Sequence, residues 1–262
     1  TYFLTYFKLR RHRQGLSRIP TWGVMVEFNP DTKVVILTGA GISAESGIKT
    51  FRASDGLWEN HAIEDVATPY AWERDPKLVW NFYQGRRSQL QKVVPNPAHQ
   101  ALVTLEEYLG DNLLLVTQNV DDLHSRAGSK NLIHMHGELR ILRCEECHET
   151  FDMMEKEHLT SQYVPCPSCS NQRLRPHIVW FHEMPFQLPE IYAAVEECDI
   201  FMTIGTSGHV YPAAGLIDVA KQSGALCVGV NLDEPMNYEL HDEFHQGKAG
   251  ELLPYLVNGW LS

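Results

Sequence analysis

The chain contains four short runs rich in β-branched and aliphatic residues, at 33–38, 112–117, 199–204 and 225–230. Runs of this length and composition predict buried β-strands. Each run passes directly into a polar or glycine-containing loop, such as residues 118–121 after the second run. The pattern therefore predicts four strands whose carboxyl ends open into loops with polar side chains.

Longer stretches between these runs have the spacing of helices, around 76–91, 97–108, 188–197 and 212–223. Strands that alternate with helices form a parallel sheet covered by helices on both faces. Ligands of such sheets bind at the carboxyl ends of the strands. We therefore predict an α/β fold with a Rossmann-like, doubly wound parallel sheet.

Charge is distributed unevenly along the chain. The 262 residues carry a net charge of −11, but the first twenty hold five basic residues and no acidic one, so the rest carries −16. An acidic body repels a phosphate backbone, and no apolar stretch approaches the ~20 residues of a membrane-spanning helix. We predict a cytoplasmic monomer without a membrane or specific nucleic-acid partner. Residues 1–31 would form a poorly ordered basic arm or, alternatively, a mitochondrial transit sequence.

Four of the six cysteines form two pairs, Cys144-x-x-Cys147 and Cys166-x-x-Cys169. Two pairs at this spacing provide four thiolates for a tetrahedral zinc ion. Such an ion would be structural, because four thiolates leave no coordination position open. Two disulfides in an oxidising compartment are the alternative. Residues 139–175 are therefore predicted to be a smaller zinc-binding insertion module.

The predicted insertion divides the main domain into two parts. Residues 32–138 and 176–262 would together form the Rossmann-like domain. Cys198 and Cys227 stand alone in this domain, among apolar or small residues. We expect both to be buried small hydrophobes.

The first predicted strand ends in Gly39-Ala-Gly41-Ile-Ser-Ala44, which fits the G-x-G-x-x-G/A pattern of nucleotide-binding turns. Such small residues let the backbone approach a pyrophosphate and let the next helix pack closely. A tight turn without a ligand fits the same pattern, but its position straight after a strand favours a nucleotide site. The sequence does not clearly show the second strand whose acidic residue would bind the ribose in a dehydrogenase.

Two further patterns leave alternatives open. If His134-Met-His136 is extended, its two imidazoles share a face and suit a metal pair, a base with a packing partner, or two structural histidines. Tyr83 and Arg86 share a face of a predicted helix and could grip a carboxylate together. On spacing alone, a packed tyrosine beside a solvated arginine is the simpler interpretation. Arg87 is the competing candidate and is predicted to face solvent.

Several motifs then occur together in one order: Gly39-Ala-Gly-Ile-Ser-Ala-Glu-Ser-Gly-Ile48, Phe51-Arg52, Thr117-Gln-Asn-Val-Asp121, His134-Met-His-Gly137, the two cysteine pairs, Gly205-Thr-Ser207 and Asn231-Leu-Asp233. In this order they resemble the motifs of sirtuins, which are NAD-dependent protein-lysine deacylases. The resemblance runs from about Lys33 to about Leu256. The stretches 174–185 and 205–215 resemble the bacterial CobB-type subgroup most.

The resemblance implies roles for individual residues. His136 would be the general base, and a Tyr-x-x-Arg pair at this place marks sirtuins that accept succinyl and malonyl lysine. The substrate chain would pair as an extended strand between residues 179–183 and 208–211. The residues implied to bind NAD are Gly39, Ala40, Gly41, Ile42, Ala44, Phe51, Arg52, Trp58, Gln118, Asn119, Asp121, Gly205, Thr206, Ser207, Asn231, Leu232, Asp233 and Ala249. The residues implied to bind the acylated substrate are Ala67, Tyr83, Arg86, Val179, Phe181, Val210 and Tyr211.

The implied activity is removal of acetyl and succinyl, and also malonyl, groups from lysine residues of protein substrates. NAD would be consumed as a co-substrate, with nicotinamide and an acyl-ADP-ribose as products, and one structural Zn²⁺ would be bound. The main competing hypothesis is a protein mono-ADP-ribosyltransferase, which breaks the same glycosidic bond. A hydride-transferring dehydrogenase and a non-enzymatic zinc-ribbon module are two weaker hypotheses.

Overall fold

The computed structural model describes Val26, residues 28–48, the backbone of 57–58, and residues 61–153 and 163–262. Its strands are β1 (Val34–Thr38), β2 (Leu57–Trp58), β3 (His61–Ala62), β4 (Leu113–Thr117), β5 (Leu132–His134), β6 (Gly137–Cys144), β7 (Thr150–Asp152), β8 (Leu174–Ile178), β9 (Ile200–Ile204), β10 (Leu226–Asn231) and β11 (Glu243–Gln246). Its α-helices are α1 (Ile63–Val66), α2 (Pro69–Arg74), α3 (Pro76–Leu90), α4 (Pro97–Leu109), α5 (Leu123–Ala127), α6 (Leu188–Glu197), α7 (Leu216–Ser223) and α8 (Ala249–Trp260). Short 3-10 helices cover Ala40–Ser46, Gly110–Asn112, Ala213–Gly215 and Tyr238–Leu240. Within these residues, no helix combines the length and apolarity needed to cross a membrane.

The main sheet is parallel throughout and has the strand order β11-β10-β9-β1-β4-β5. Along the chain, β4 and β5 are added on one side of β1, and β9, β10 and β11 are then added on its other side. The strand order therefore reverses between β1 and β9, which is where such sheets bind ligands. The predicted Rossmann-like fold class is confirmed.

The central part of strand β1 is apolar at successive positions because both faces of the strand are buried. Val34 and Ile36 pack into one core with α4 and α8, whereas Val35 and Leu37 pack into a second core with α6 and α7. Successive side chains of a strand point to opposite faces, so a sheet covered on both faces needs apolar residues at every position. All five residues of the strand are buried.

The four apolar runs form β1, β4, β9 and β10, and the four predicted helices correspond to α3, α4, α6 and α7. The edge strands β5 and β11 and the helix α8 were not predicted. Both edge strands are short and only partly buried, so they lack a long apolar run. The last of the four predicted helices, at 212–223, begins with a 3-10 turn (Ala213–Gly215) and continues as α7.

A second, antiparallel sheet has the order β7-β6-β8 and carries the paired cysteines. Its strands extend beyond the predicted module boundaries at 139 and 175 on both sides. Part of the predicted basic arm is described: Val26 is buried in the core, and the ring of Phe28 lies 5.4 Å from that of Trp260. The basic residues of the arm lie outside the described residues, and the domain limits stay predictions.

Candidate active site

The glycine turn after β1 packs directly against the loop after β9. The amide of Gly39 donates to the carbonyl of Ile204 at 2.9 Å, and that of Gly41 donates to the carbonyl of Gly205 at 2.8 Å. A Cβ atom on Gly41 would lie 2.7 Å from the Cα of Gly205, and Gly205 itself has a positive φ of 63°. Glycine is therefore required here by backbone contact between two loops, whether or not a ligand is bound.

The glycine turn itself is part of a 3-10 helix, Ala40–Ser46, and does not lead into the α-helix of a dehydrogenase turn. The side chain of Asn96, which caps α4, donates to the carbonyl of Ile42 at 2.7 Å and to the hydroxyl of Ser46 at 3.0 Å. The hydroxyl of Ser43 donates to the carboxylate of Asp121 at 3.0 Å. Side chains from two other segments thus hold the turn in place at the edge of the sheet.

A cavity of about 910 Å³ opens at the point where the strand order reverses. This volume lies at the upper end of the range for small-molecule sites, which is roughly 300–1,000 Å³. Its lining includes residues predicted to bind NAD, namely Gly39, Ala40, Gly41, Ala44, Gln118, Asn119, Asp121, Gly205, Thr206, Ser207, Asn231, Leu232, Asp233 and Ala249. It also includes every residue predicted to bind the acylated substrate, namely Ala67, Tyr83, Arg86, Val179, Phe181, Val210 and Tyr211. The sequence motifs therefore converge on one site.

One described residue that was predicted to bind NAD, Ile42, is not in that lining. The side chain of Ile42 is fully buried in the core beneath the turn, so it supports the turn instead of facing the cavity. Phe51 and Arg52 lie outside the described residues, and Trp58 is described only as backbone of β2. Their predicted contacts with NAD stay predictions.

His136 is placed on the cavity by the end of β5 and the start of β6. Its Nδ1 lies 3.0 Å from the carbonyl oxygen of Gln118. A carbonyl can only accept, so Nδ1 carries the proton and Nε2 keeps its lone pair. Burial lowers the pKa of His136, and the hydrogen bond to Gln118 opposes that shift only in part. The imidazole is therefore a neutral base at physiological pH.

The two histidines of the motif do not act as a pair. Strand β5 ends at His134, so the alternation predicted for an extended segment does not continue to His136. The Nε2 of His134 instead lies 3.2 Å from the hydroxyl of Ser125 and 3.6 Å from the carboxylate of Glu138. His134 is not among the cavity-lining residues, which removes the metal-pair interpretation.

Amides and hydroxyls from three loops form the polar wall of the cavity. The side chain of Gln118 donates to the hydroxyl of Thr206 at 3.0 Å, and that of Asn231 donates to the carbonyl of the same residue at 2.9 Å. The side chain of Asn119 donates to the carbonyl of Gly39 at 3.2 Å. Burial raises the pKa of Asp121, although hydrogen bonds from Leu123 and Ser43 oppose the shift. These contacts hold the amide and carboxyl side chains at fixed positions beside the glycine turn.

Helix α3 brings Tyr83 and Arg86 to the lining of the same cavity. Asp75 caps this helix by accepting from the amide of Leu78 at 3.0 Å, and Pro76 occupies its first turn. The i, i+3 spacing places both side chains on the cavity-facing side, next to the small side chain of Ala67. A phenol, a guanidinium and a small side chain therefore line one cavity.

The prediction that Arg87 faces solvent is wrong. Its side chain is only 1% exposed, and it donates to the carbonyl of Leu139 and to the side chain of Gln84. Burial lowers the pKa of Arg87 to about 10. The second face of α3 is covered by β6, so Arg87 packs between two elements while Arg86 reaches the cavity.

Two segments form the outer walls of the cavity. Residues 179–183 follow β8, and residues 208–211 follow β9. Phe181 and Tyr211 on these walls are 39% and 71% exposed, so large apolar surface borders the entrance. The amide of Phe181 donates to the carbonyl of Ala67 at 3.0 Å, which joins this wall to a residue predicted to contact the acyl group.

Sequence reasoning missed several residues on the cavity. Trp180 is almost fully buried and donates its indole N–H to the hydroxyl of Tyr83 at 2.9 Å. Glu45 accepts from the amide of Gly250 at 2.7 Å and so ties the glycine turn to the start of α8. Glu45 stands within the quoted glycine motif and could have been found there, whereas Trp180 resembles an ordinary core residue in the sequence.

The four paired cysteines come together beside the second sheet, with Cys144 at the end of β6 and the other three in the segments that precede β7 and β8. Their sulfur atoms all lie within 4.8 Å of one another, with Cys144 to Cys169 and Cys147 to Cys166 both at 3.6 Å. Four thiolates around one Zn²⁺, each about 2.3 Å from the metal, would have sulfur atoms about 3.8 Å apart. The cluster therefore fits one structural zinc ion. No disulfide links these cysteines.

The two cysteine turns have the same backbone geometry. His148 and Ser170, each directly after the second cysteine of a pair, have φ of 62° and 59°. Their amides donate to the carbonyls of Cys144 and Cys166, at 3.1 and 2.8 Å. The two equivalent turns direct four sulfur atoms toward one position, as a tetrahedral metal site requires.

We expect Cys144→Ser to lower zinc content and stability together, by at least about 4 kcal/mol, because loss of a structural metal is among the most destabilising changes. Metal analysis and thermal unfolding measure the two effects. Cys198→Ser is the matched control, since Cys198 is buried outside the cluster and burial raises its pKa to about 12. A Cys144→Ser protein that keeps both its zinc and its unfolding midpoint would contradict the predicted ligand set.

Comparison with known proteins identifies the family. The Sir2 family pattern matches residues 39–212. A protein named NAD-dependent protein deacylase from Pasteurella multocida (strain Pm70) is 54% identical over 232 residues, which cover 87% of this chain and 98% of the relative. The protein of the same name from Escherichia coli (strain K12) is 50% identical over 244 residues, covering 91% of this chain and 85% of the relative.

Solved structures agree with these relatives. A Sir2 homolog in complex with NAD aligns with a TM-score of 0.80 at 42% identity, covering 88% of this chain and 91% of that one. Sir2Af2 bound to a myristoylated histone peptide aligns with a TM-score of 0.70 at 35% identity, covering 86% of this chain and 89% of that one. The chain therefore belongs to the Sir2 family. The predicted enzyme class, an NAD-dependent protein deacylase, is confirmed.

Proposed function

We propose that this Sir2-family enzyme removes both acetyl and succinyl groups from lysine side chains, and malonyl groups by the same means. The observation that carries the proposal is the convergence on one cavity of a neutral histidine, a polar wall beside the glycine turn, and the pair Tyr83 and Arg86. A site for transfer of an acyl group to a nucleotide needs a base, a nucleotide cradle and an acyl pocket in contact with one another.

NAD bound along the polar wall would supply a ribose carbon that accepts the acyl oxygen as neutral nicotinamide leaves. His136 would then take a proton from a ribose hydroxyl at its Nε2. The carbonyl of Gln118 holds the opposite ring nitrogen, so Nε2 stays aimed and unprotonated. Asn119 and Asp121, held by the turn and by Ser43, would orient the nicotinamide and ribose groups.

The presence of Tyr83 and Arg86 in the cavity lining supports recognition of an acyl chain that ends in a carboxylate. Arg86 brings a positive charge and Tyr83 brings a neutral hydroxyl, because burial raises the pKa of Tyr83 well above its ordinary value. A hydrogen bond between a charged donor and a carboxylate is about twice as strong as one between neutral groups. Ala67 leaves room for the two extra carbons of a succinyl group.

The outer walls support binding of an extended peptide that carries the acylated lysine. Backbone pairing with residues 179–183 and 208–211 would give little selectivity for neighbouring side chains. The acyl group would then decide substrate choice more than the surrounding sequence does. We further propose that the enzyme acts as a monomer in the cytoplasm, without a nucleic-acid or membrane partner.

The test is incubation of the purified chain with NAD and matched acetyl-lysine and succinyl-lysine peptides, with peptide mass and nicotinamide release followed together. We expect loss of both acyl groups, each with one nicotinamide released per group removed. Loss of acetyl alone would contradict the proposed acyl range. A mass gain of one ADP-ribose on the peptide, with the acyl group retained, would instead support the transferase hypothesis.

A further inference from the structure

Trp180 lies on the cavity and contacts both Tyr83 and a partly buried ionic network. Its indole Nε1 donates to the hydroxyl oxygen of Tyr83 at 2.9 Å. The two rings are nearly parallel, at 30°, with centroids 6.3 Å apart, and both side chains are buried. A phenol oxygen that accepts on one side holds its own proton on the other side of the C–O bond. The Trp180 donor therefore limits the orientation of the Tyr83 hydroxyl.

The position of Trp180 is itself fixed from two directions. The guanidinium of Arg175 lies 3.4 Å from the centre of the indole ring, within the range of a strong cation–π contact. Both terminal nitrogens of Arg175 donate to the carboxylate of Glu183, at 2.8 and 2.9 Å. The same carboxylate accepts from the backbone amide of Trp180 at 2.8 Å. Ring and backbone of Trp180 are thus held by one ion pair, in which Arg175 is buried and Glu183 is partly exposed.

We propose that Trp180 is a positioning residue that sets acyl selectivity: its indole N–H occupies one side of the Tyr83 oxygen and directs the Tyr83 proton toward an acyl carboxylate in the cavity. This inference rests on the proposed desuccinylase function. An acetyl group has no carboxylate, so the orientation of the Tyr83 hydroxyl matters much less for deacetylation. Trp180 thereby acts on selectivity through Tyr83, without itself contacting the carboxylate.

Trp180→Phe removes the N–H donor and keeps most of the ring. We expect the ratio of desuccinylation to deacetylation, each as kcat/KM, to fall about five- to tenfold, the size of one neutral hydrogen bond. The loss should appear mainly in the KM for the succinyl peptide, because the contact acts on a group remote from the reacting bond. Thermal unfolding of the variant reports any general damage to the fold.

Trp72→Phe is the matched control, because it removes the same atom from a neighbouring buried indole. Trp72 packs against Trp180 with ring centroids 5.9 Å apart, but its Nε1 donates to Glu145 at 3.1 Å and it does not line the cavity. We expect a similar loss of stability and an unchanged selectivity ratio. Equal changes in the ratio for both variants would overturn the proposal in favour of a purely structural role.

A double-mutant cycle with Tyr83→Phe separates the positioning role of Trp180 from the desuccinylase function on which it rests. If Trp180 acts through the Tyr83 hydroxyl, Trp180→Phe should leave the selectivity ratio unchanged once that hydroxyl is absent. Additive effects would overturn the positioning role. If Tyr83→Phe alone leaves the ratio unchanged, the proposed recognition of the acyl carboxylate by Tyr83 and Arg86 itself fails. If Tyr83→Phe lowers the ratio and Trp180→Phe does not, carboxylate recognition by Tyr83 and Arg86 is supported and only the positioning role of Trp180 fails.

Discussion

Replacing His136 with alanine is expected to slow deacylation by about 10²–10⁴-fold with acetyl and succinyl peptides alike, the usual contribution of a general base. The imidazole provides a neutral Nε2 at the cavity, and Gln118 holds the ring from the opposite side. Alanine removes the base without removing a packed core side chain, so the unfolding midpoint should change little. Steady-state rates for both peptides, with thermal unfolding of each protein, measure the effect.

His134→Ala provides the matched control, because His134 is two residues away and does not line the cavity. We expect the rates of this variant to stay within about threefold of the parent, since its contacts are with Ser125 and Glu138. Equal losses in both variants would point to a structural role for the whole motif. If the His136→Ala variant keeps the rates of the parent protein, His136 is not the general base.

The pH dependence provides an independent check on His136. Burial lowers the pKa of this imidazole below the ordinary value of 6.5, and the base acts in its neutral form. The value of kcat/KM should therefore be constant above about pH 6.5 and fall as the pH drops through the lowered pKa. The residual rate of His136→Ala should lack this acid limb. An acid limb that is the same in the parent and in His136→Ala would contradict the assignment.

Removing the charge of Arg86 should have the second large effect, and it should be selective. Arg86→Met is expected to lower kcat/KM for the succinyl peptide about 10- to 100-fold, because a charge-assisted hydrogen bond contributes about 1.5–3 kcal/mol. Tyr83→Phe, which deletes only the hydroxyl, should cost about tenfold. Deacetylation should fall much less in both variants, since an acetyl group has no carboxylate for Tyr83 and Arg86 to bind. Parallel assays of the two peptides measure the ratio.

Arg74→Met is the control for loss of a positive charge. Arg74 forms an exposed ion pair with Asp65 at 2.5 Å and does not line the cavity, so neither rate should respond. If Arg86→Met lowers both activities equally, Arg86 supports the fold and does not recognise the carboxylate. That outcome would also return the Tyr83 and Arg86 pair to the simpler interpretation drawn from spacing alone.

The sequence predicted most of what depends on near neighbours in the chain. The apolar runs identified β1, β4, β9 and β10, because strands buried on both faces need uninterrupted apolar residues. The spacing of the cysteines predicted their cluster, because two short turns suffice to aim four sulfurs. By contrast, β11 was missed, because an edge strand is only partly buried and carries no clear pattern.

Only the tertiary structure distinguished between residues that look equivalent in the sequence. Arg86 and Arg87 are neighbours on one helix, and the packing of β6 against α3 decides which one is buried away from the cavity. His134 and His136 fit one alternating pattern, and the end of β5 together with the carbonyl of Gln118 decides which one is the candidate base.

The sequence by itself therefore determined the strands, the glycine turn, the cysteine pairs and the family resemblance, since each is encoded within a few consecutive residues. The tertiary structure decided which side chains meet. Tyr83, Arg175 and Trp180 come from α3, β8 and the wall that follows β8, and no periodicity relates them. Long-range contacts depend on how whole elements pack, because close packing fixes side-chain positions that local propensity leaves open.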